Sequence, residues 1–142
     1  INAAATAAML IERYTPKRVI NFGTAGGITV DSGIHRCTTF TQRDYRNPFD
    51  TPPAITHGSR RDGLVLSTGD DFVEDTTYID ADLVDMEAYA IAKACLRYKI
   101  EFRCFKYITD QADDQAHDSW KQSVSMGEKF FITKLLELGI TV

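Results

Sequence analysis

The chain has 142 residues, 44% hydrophobic and 25% charged, which is enough apolar material for one buried core and excludes disordered and collagen-like classes. Sixteen basic against twenty acidic side chains leave a formal net charge of −4, a field unsuited to holding nucleic acid or an anionic membrane. No apolar run approaches the roughly 18 residues of a membrane span and no basic-then-apolar leader opens the chain, so a cytoplasmic protein acting on a small molecule is expected.

In chain order, INAAATAAMLIERY (1–14) places Ala3, Ala7, Leu10, Ile11 and Tyr14 on one helical face, and Pro16 ends that helix. With no capping residue before it, the helix reads as the interior of a larger fold whose earlier part precedes Ile1. RVINFG follows as a strand apolar on both faces, as a strand covered by helices should be, and GTAGG (23–27) reads as a tight glycine turn at its end. DSGIHRCTTF (31–40) turns at Ser32-Gly33 and continues as a second strand. Residues 41–62 hold three of the four prolines and many charges, and read as a long surface loop.

A strand over 64–68 then leads into the acidic turn of GLVLSTGDDFV, and ADLVDM supplies a short strand end. The next helix turns Ala88, Ile91, Ala92, Cys95 and Leu96 inward and carries Lys93, Arg97 and Lys99 on its outer face and toward its C-terminus. RCFKYITD is another strand, and a final helix from about Ser119 sets Trp120, Val124, Phe131, Leu135 and Leu138 at core spacing. Strand and helix alternate, which predicts one α/β domain over 1–142 with a largely parallel sheet.

In such sheets ligands bind beyond the carboxyl ends of the strands, so the informative residues are those that follow each apolar run. Residues 23–27 after VINF, 69–73 after LVLST, 85–87 after DLV and Thr109-Asp110 after FKYI meet that condition. The glycine segment suggests a phosphate cradle, but it lacks both the G-x-G-x-x-G spacing and the Lys-Ser/Thr ending of a P-loop. Taken together the four segments offer backbone donors, an aromatic flanked by acids and two carboxylates. Carboxylates accept hydrogen bonds from a vicinal diol and aromatics stack on a planar base, so the set suits a nucleoside.

VDMEAYAIA resembles the V-E-M-E-(A/G)-x-A signature of the nucleoside phosphorylase and nucleosidase superfamily. NFGTAGGI, STGDDFV and YITDQAD resemble, in the same order, its glycine turn, purine-stacking segment and base-recognition segment, and INAAATAAMLIERYTPKRVIN is similar to the helix before the glycine turn. Within the superfamily the likeness is greatest to the 5′-methylthioadenosine/S-adenosylhomocysteine nucleosidases. The fold this implies is a three-layer α/β/α arrangement around a mixed, largely parallel sheet, truncated at its N-terminus.

The resemblance also implies roles. Glu87 would bind the ribose 2′- and 3′-hydroxyls, Met86 would pack on the sugar, and Asp110 would donate a proton to purine N7. Phe72 would stack on adenine, the Val73 backbone would read the base edge, and Trp120 would stand as a second aromatic near the base. Thr109 and Asp113 would support Asp110, and Asp85 stands where the family carries glutamate. Where the phosphorylases commonly carry an arginine before the glycine turn this chain has Asn21, so Thr24, Ala25 and Gly26 are expected to shape a water and ribose site.

Hydrolysis of a purine nucleoside is therefore the expected reaction, with a phosphate-dependent phosphorylase or a catalytically impaired nucleoside-binding fragment as alternatives. The family's general base, a glutamate in the first strand-loop, would lie upstream of Ile1. No metal or organic cofactor is implied, the partner is a small nucleoside, and a homodimer is the family habit.

The remaining reactive residues carry less. His35, His57 and His117 lack metal-ligand spacing and read as surface or core residues. Cys37, Cys95 and Cys104 are odd in number without Cys-x-x-Cys spacing and read as reduced thiols, with Cys95 and Cys104 packed in the core. Asp110, Asp113, Asp114 and Asp118 lack the glycine and terminal glutamate of a calcium loop.

Overall fold

A computed structural model describes residues 2–45, 49–113 and 116–140. Helix α1 (Asn2–Tyr14) is followed by strands β1 (Arg18–Gly27), β2 (Ile34–Gln42), β3 (Ile55–Thr56), β4 (Leu64–Thr68) and β5 (Leu83–Asp85). Helix α2 (Ala88–Tyr98), strand β6 (Glu101–Asp110) and helices α3 (Ala116–Ser123) and α4 (Glu128–Glu137) complete the chain. The expected alternation of strand and helix fails between β1 and β5, where four connections run with no α-helix among the described residues.

The strands form one mixed sheet in the order β3-β2-β4-β5-β1-β6, and β2 also pairs with β6. Five strands therefore close into a ring. The pairs β1–β6, β2–β4 and β4–β5 are parallel, whereas β1–β5, β2–β3 and β2–β6 are antiparallel. Closure suits the composition of β2, whose Cys37, Thr38, Thr39 and Phe40 are all buried and need neighbours on both sides.

Helices cover β6 on both faces. Phe102, Cys104 and Ile108 join the main core with Phe40, Leu66 and Leu83 of the sheet and Ala88, Ala92 and Cys95 of α2. On the other face Phe105 stacks on Phe22, which meets Phe131 of α4, and Tyr107 stacks on Phe130. Phe40, Leu66 and Leu83 are wholly buried, each worth roughly 1.5–3 kcal/mol of hydrophobic transfer. Helix α1 packs on α2, where the Tyr98 hydroxyl donates to Glu12.

Several elements depart from the sequence reading. Of the face expected to be apolar in α1, only Ile11 is buried; Leu10 and Tyr14 are exposed. In α2 Tyr89 is buried while Leu96 is exposed, because the helix docks through its Ala88–Ala92–Cys95 line. The proline-rich stretch includes strand β3, with Ile55 buried on the edge of β2, and a 3₁₀ turn over Arg60–Asp62. The single final helix is two, parted by a 3₁₀ turn at Val124–Gly127, where Gly127 is buried against Tyr107 and Phe131; Val124 is exposed.

The largest correction concerns residues 23–27. They are not a turn but the second half of β1, paired in parallel with β6 and then antiparallel with β5. The glycines stand there because other side chains cross that backbone. A Cβ on Gly23 would lie 2.7 Å from Lys106 Nζ, and one on Gly26 would lie 2.6 Å from Asp110 Oδ1.

Candidate active site

The strand ends converge on one cavity of about 290 Å³, near the lower end of the range for small-molecule sites. Every residue singled out from the sequence for catalysis or binding lines it: Thr24, Ala25, Gly26, Phe72, Val73, Asp85, Met86, Glu87, Thr109, Asp110 and Trp120. Asp113 is exposed and is not part of the lining.

Glu87 precedes the first residue of α2, a position from which an acid often caps the helix, yet its side chain makes no capping bond. Its neighbours do that work. Asp85 Oδ2 accepts from the Ala88 amide at 2.9 Å, and the Thr68 hydroxyl accepts from the Tyr89 amide at 3.0 Å while donating to Asp85 Oδ1 at 2.5 Å. Relieved of capping, the Glu87 carboxylate lies at the cavity wall. Burial by the surrounding protein, with the charge of Asp85 adding to it, raises its pKa above the usual glutamate range, and the Lys106 ammonium partly offsets that rise.

Asp85, where the family carries glutamate, lines the cavity but turns its acidic group to protein partners. Its carboxylate is buried and committed to Thr68, the Ala88 amide and Lys106, whose Nζ lies 2.8 Å from Oδ2. Lys106 and Asp85 are each only 1% exposed at the side chain. Burial works against the lysine's charge, but Asp85, followed by Cys104 and Glu87, outweighs it and holds the ammonium above its ordinary pKa.

Asp110 ends β6 beside a bulge, where Ala25 pairs with Ile108 and Gly26 with Asp110, so that Thr109 has no partner in register. The Thr109 hydroxyl donates to Asp110 Oδ2 at 2.9 Å, and the Ala112 amide donates to Oδ1 at 3.1 Å. Ala112 takes a positive φ of 52°, a conformation costly for alanine. Both donors fix the direction of the carboxyl.

Two aromatics flank the opening. Phe72 and Trp120 meet edge to face with centroids 6.4 Å apart, and the indole N–H donates to the Thr24 hydroxyl at 3.1 Å. Thr24 thus positions an aromatic ring besides lining the cavity.

Sequence reasoning missed Arg43 and Val84, which also line the cavity, as does Asp71 of the segment 69–73. Arg43 Nη1 donates to the carbonyls of Ser67 and Asp85 at 2.7 and 2.9 Å, and Nη2 to those of Gly69 and Asp71 at 3.2 and 2.6 Å. One guanidinium ties the ends of β4 and β5 to the segment carrying Phe72. Burial lowers its pKa against the opposing charges of Asp85, Asp44, Asp71 and Asp70. Its place in a proline-rich, charged stretch gave no local signal.

The remaining residues hold structural positions. His57 Nε2 lies 3.1 Å from the Ala92 carbonyl and His35 Nε2 lies 2.7 Å from that of Ser32; the side chain of His117 lies outside the described residues. All three cysteines are buried and unbridged, with Cys37 and Cys104 opposite each other on β2 and β6. Burial raises the Cys95 thiol to about 11. Among the described residues no group of three or more His, Cys, Asp or Glu side chains could hold a metal, and no helix is long and apolar enough to cross a membrane.

A ring of mixed strands with this cavity at the strand ends defines a class. The sequence profile of the phosphorylase superfamily matches residues 61–137, more than half of the chain, and the chain belongs to that superfamily. It is similar to the 5′-methylthioadenosine/S-adenosylhomocysteine nucleosidase of Bacillus thuringiensis, with 25% identity over 96% of this chain and 76% of the relative. That alignment runs over 178 residues, more than this chain has, so the relative carries internal segments absent here.

Among solved structures, a mutant of the Helicobacter pylori nucleosidase with 5′-methylthioadenosine in its active site gives a TM-score of 0.75 at 18% identity, covering 86% of this chain and 68% of that one. Native futalosine hydrolase of Helicobacter pylori gives 0.76 at 18% identity, covering 86% and 67%. The α/β fold with a mixed sheet, here closed into a ring rather than layered as expected, is thus shared with these hydrolases.

Proposed function

We propose that the chain hydrolyses the N-glycosidic bond of a purine nucleoside, releasing adenine from a 5′-modified adenosine such as 5′-methylthioadenosine or S-adenosylhomocysteine. The observation that carries this reading is the gathering of Glu87, Asp110, Phe72 and Trp120, from four separate segments of the chain, around one cavity of nucleoside size.

In this reading adenine lies against Phe72, with Trp120 held edge-on by Thr24 and the Val73 backbone at the base edge. Asp110 donates its proton to N7, so that the base departs neutral. Glu87 accepts hydrogen bonds from the ribose 2′- and 3′-hydroxyls, and its charge stabilises the oxocarbenium character that develops at C1′. Met86, at the cavity wall beside Glu87, covers the sugar.

Water is favoured over phosphate as the acceptor by the state of the cations. Arg43 lines the cavity, but its guanidinium donates to four backbone carbonyls, and Lys106 is paired with Asp85. Neither is disposed to hold a phosphate dianion. Asn21, where the phosphorylases commonly carry arginine, accepts instead from the Cys104 thiol at 3.5 Å and does not line the cavity.

The test is adenine release from 5′-methylthioadenosine with and without phosphate, with the sugar product identified by mass. Free methylthioribose formed without phosphate supports the reading, and a sugar 1-phosphate formed only with phosphate overturns hydrolysis. Failure to release adenine in either buffer overturns the proposal.

A further inference from the structure

The Lys106–Asp85 pair has no part in the chemistry just described, yet it is a buried charge pair whose aspartate lines the cavity. Burying two charges is expensive even when they are paired, and a pair of apolar residues would serve packing as well or better. Three features tie this one to Glu87. Asp85 is two residues before it and caps the helix that Glu87 begins, through the Ala88 amide. Lys106 crosses the backbone of β1 at Gly23, the residue next to Thr24 of the cavity. The two charges act on Glu87 from opposite directions, Lys106 favouring its anion and Asp85 opposing it.

We propose that Lys106 and Asp85 are positioning residues for Glu87, a buried counter-charge pair that fixes the backbone from which Glu87 projects and keeps its carboxylate ready to accept the ribose hydroxyls. The proposal rests on the nucleosidase reading for the identity of that ligand. Other charged groups at the same cavity are Arg43 and Asp71 from the loops after β2 and β4, and Asp110 at the end of β6. Arg43 is tied to carbonyls and Asp110 to Thr109 and Ala112, so Lys106 and Asp85 are the ones whose removal changes the field at Glu87 most directly.

The test uses Lys106→Met and Asp85→Asn, read by the pH profile of kcat/KM and by the ¹³C titration of Glu87 in the unliganded protein, its resonance assigned with Glu87→Gln. Without the cation, Lys106→Met moves the acid limb and the Glu87 midpoint upward by about one pH unit. Asp85→Asn, whose amide oxygen still accepts from the Ala88 amide, moves both downward. At neutral pH Lys106→Met also lowers kcat/KM on the order of tenfold, chiefly through KM.

Opposite movements establish the assignment. Movement in one direction for both variants, or none, overturns it, because a merely structural pair would cost stability in both without opposed titrations. If Lys106→Met does not fold, Asp85→Asn decides alone: a downward shift supports the proposal and an unmoved midpoint overturns it. The titration needs no turnover, so a chain that proves not to cleave nucleosides overturns the functional reading while this measurement still stands.

Discussion

Strands β1 and β6 run side by side for their whole length, and the two ends of that one ladder treat charge in opposite ways. At the start Arg18 faces Glu101 in register, with Arg18 Nε 2.8 Å from one carboxylate oxygen and Arg103 Nε 2.7 Å from the other, on the solvent side. Farther along, Gly23 faces Lys106 and Gly26 faces Asp110. At the first end β1 supplies a partner charge, and at the second it supplies bare backbone over which the charged side chains of β6 lie buried. The same pairing thus yields a surface ion pair at one end and a reactive site at the other, according to whether β1 contributes a side chain.

The sharpest test of that contrast is Glu87→Gln, which removes the charged acceptor proposed for two ribose hydroxyls. At about 1.5–3 kcal/mol per bond to a charged group, kcat/KM falls by at least a hundredfold. Its stability moves the other way. The folded pKa is raised, so the folded protein prefers the protonated acid, and keeping the anion costs stability once the pH rises through the unfolded value toward the folded one. Glu87→Gln therefore melts slightly higher than wild type at neutral pH, with the gap closing below the normal glutamate range; solvent at the cavity mouth keeps the effect small.

Asp110→Asn comes next, with a loss on the order of a hundredfold in kcat as the proposed proton donor disappears and little change in melting temperature. Gly26→Ala is smaller in energy but wider in reach. Its methyl would press on Asp110 Oδ1, Val84 and Ala112, costing roughly 1–3 kcal/mol in denaturant unfolding and lowering turnover by displacing the carboxyl. Smallest is the surface end, where a double-mutant cycle on Arg18 and Glu101 gives a coupling below about 1 kcal/mol that shrinks with salt and leaves activity unchanged. A coupling there as large as the cost of Gly26→Ala would break the comparison.

What was legible in the sequence follows from the range of the forces involved. Strand β4 and the order of the strand ends could be read because local periodicity encodes them, and those ends bring Thr24, Phe72, Glu87 and Asp110 to one cavity. The segment 23–27 was misread because glycine is usually a turn signal; its reason here lies some eighty positions away, in Lys106 and Asp110. Arg43 was hidden likewise, since nothing in RDYRNP announces four carbonyl acceptors on β4, β5 and the loop after β4. The break near Gly127 depends on Tyr107 of β6, again a distant partner.

Closure of the strand ring has a kinetic consequence. Strand β6 is the last to be made, it joins β1 and β2 at large sequence separation, and it brings Lys106, Thr109 and Asp110 with it. Long-range pairings of this kind form late, because the chain entropy of closing the intervening loops must be overcome first. An intermediate that has β1, β2, β4 and β5 but not β6 has neither Asp110, the proposed proton donor, nor Lys106 in place. On the proposed function, the capacity to bind nucleoside arrives with ring closure, and a nucleoside analogue added during refolding reports that step rather than earlier collapse.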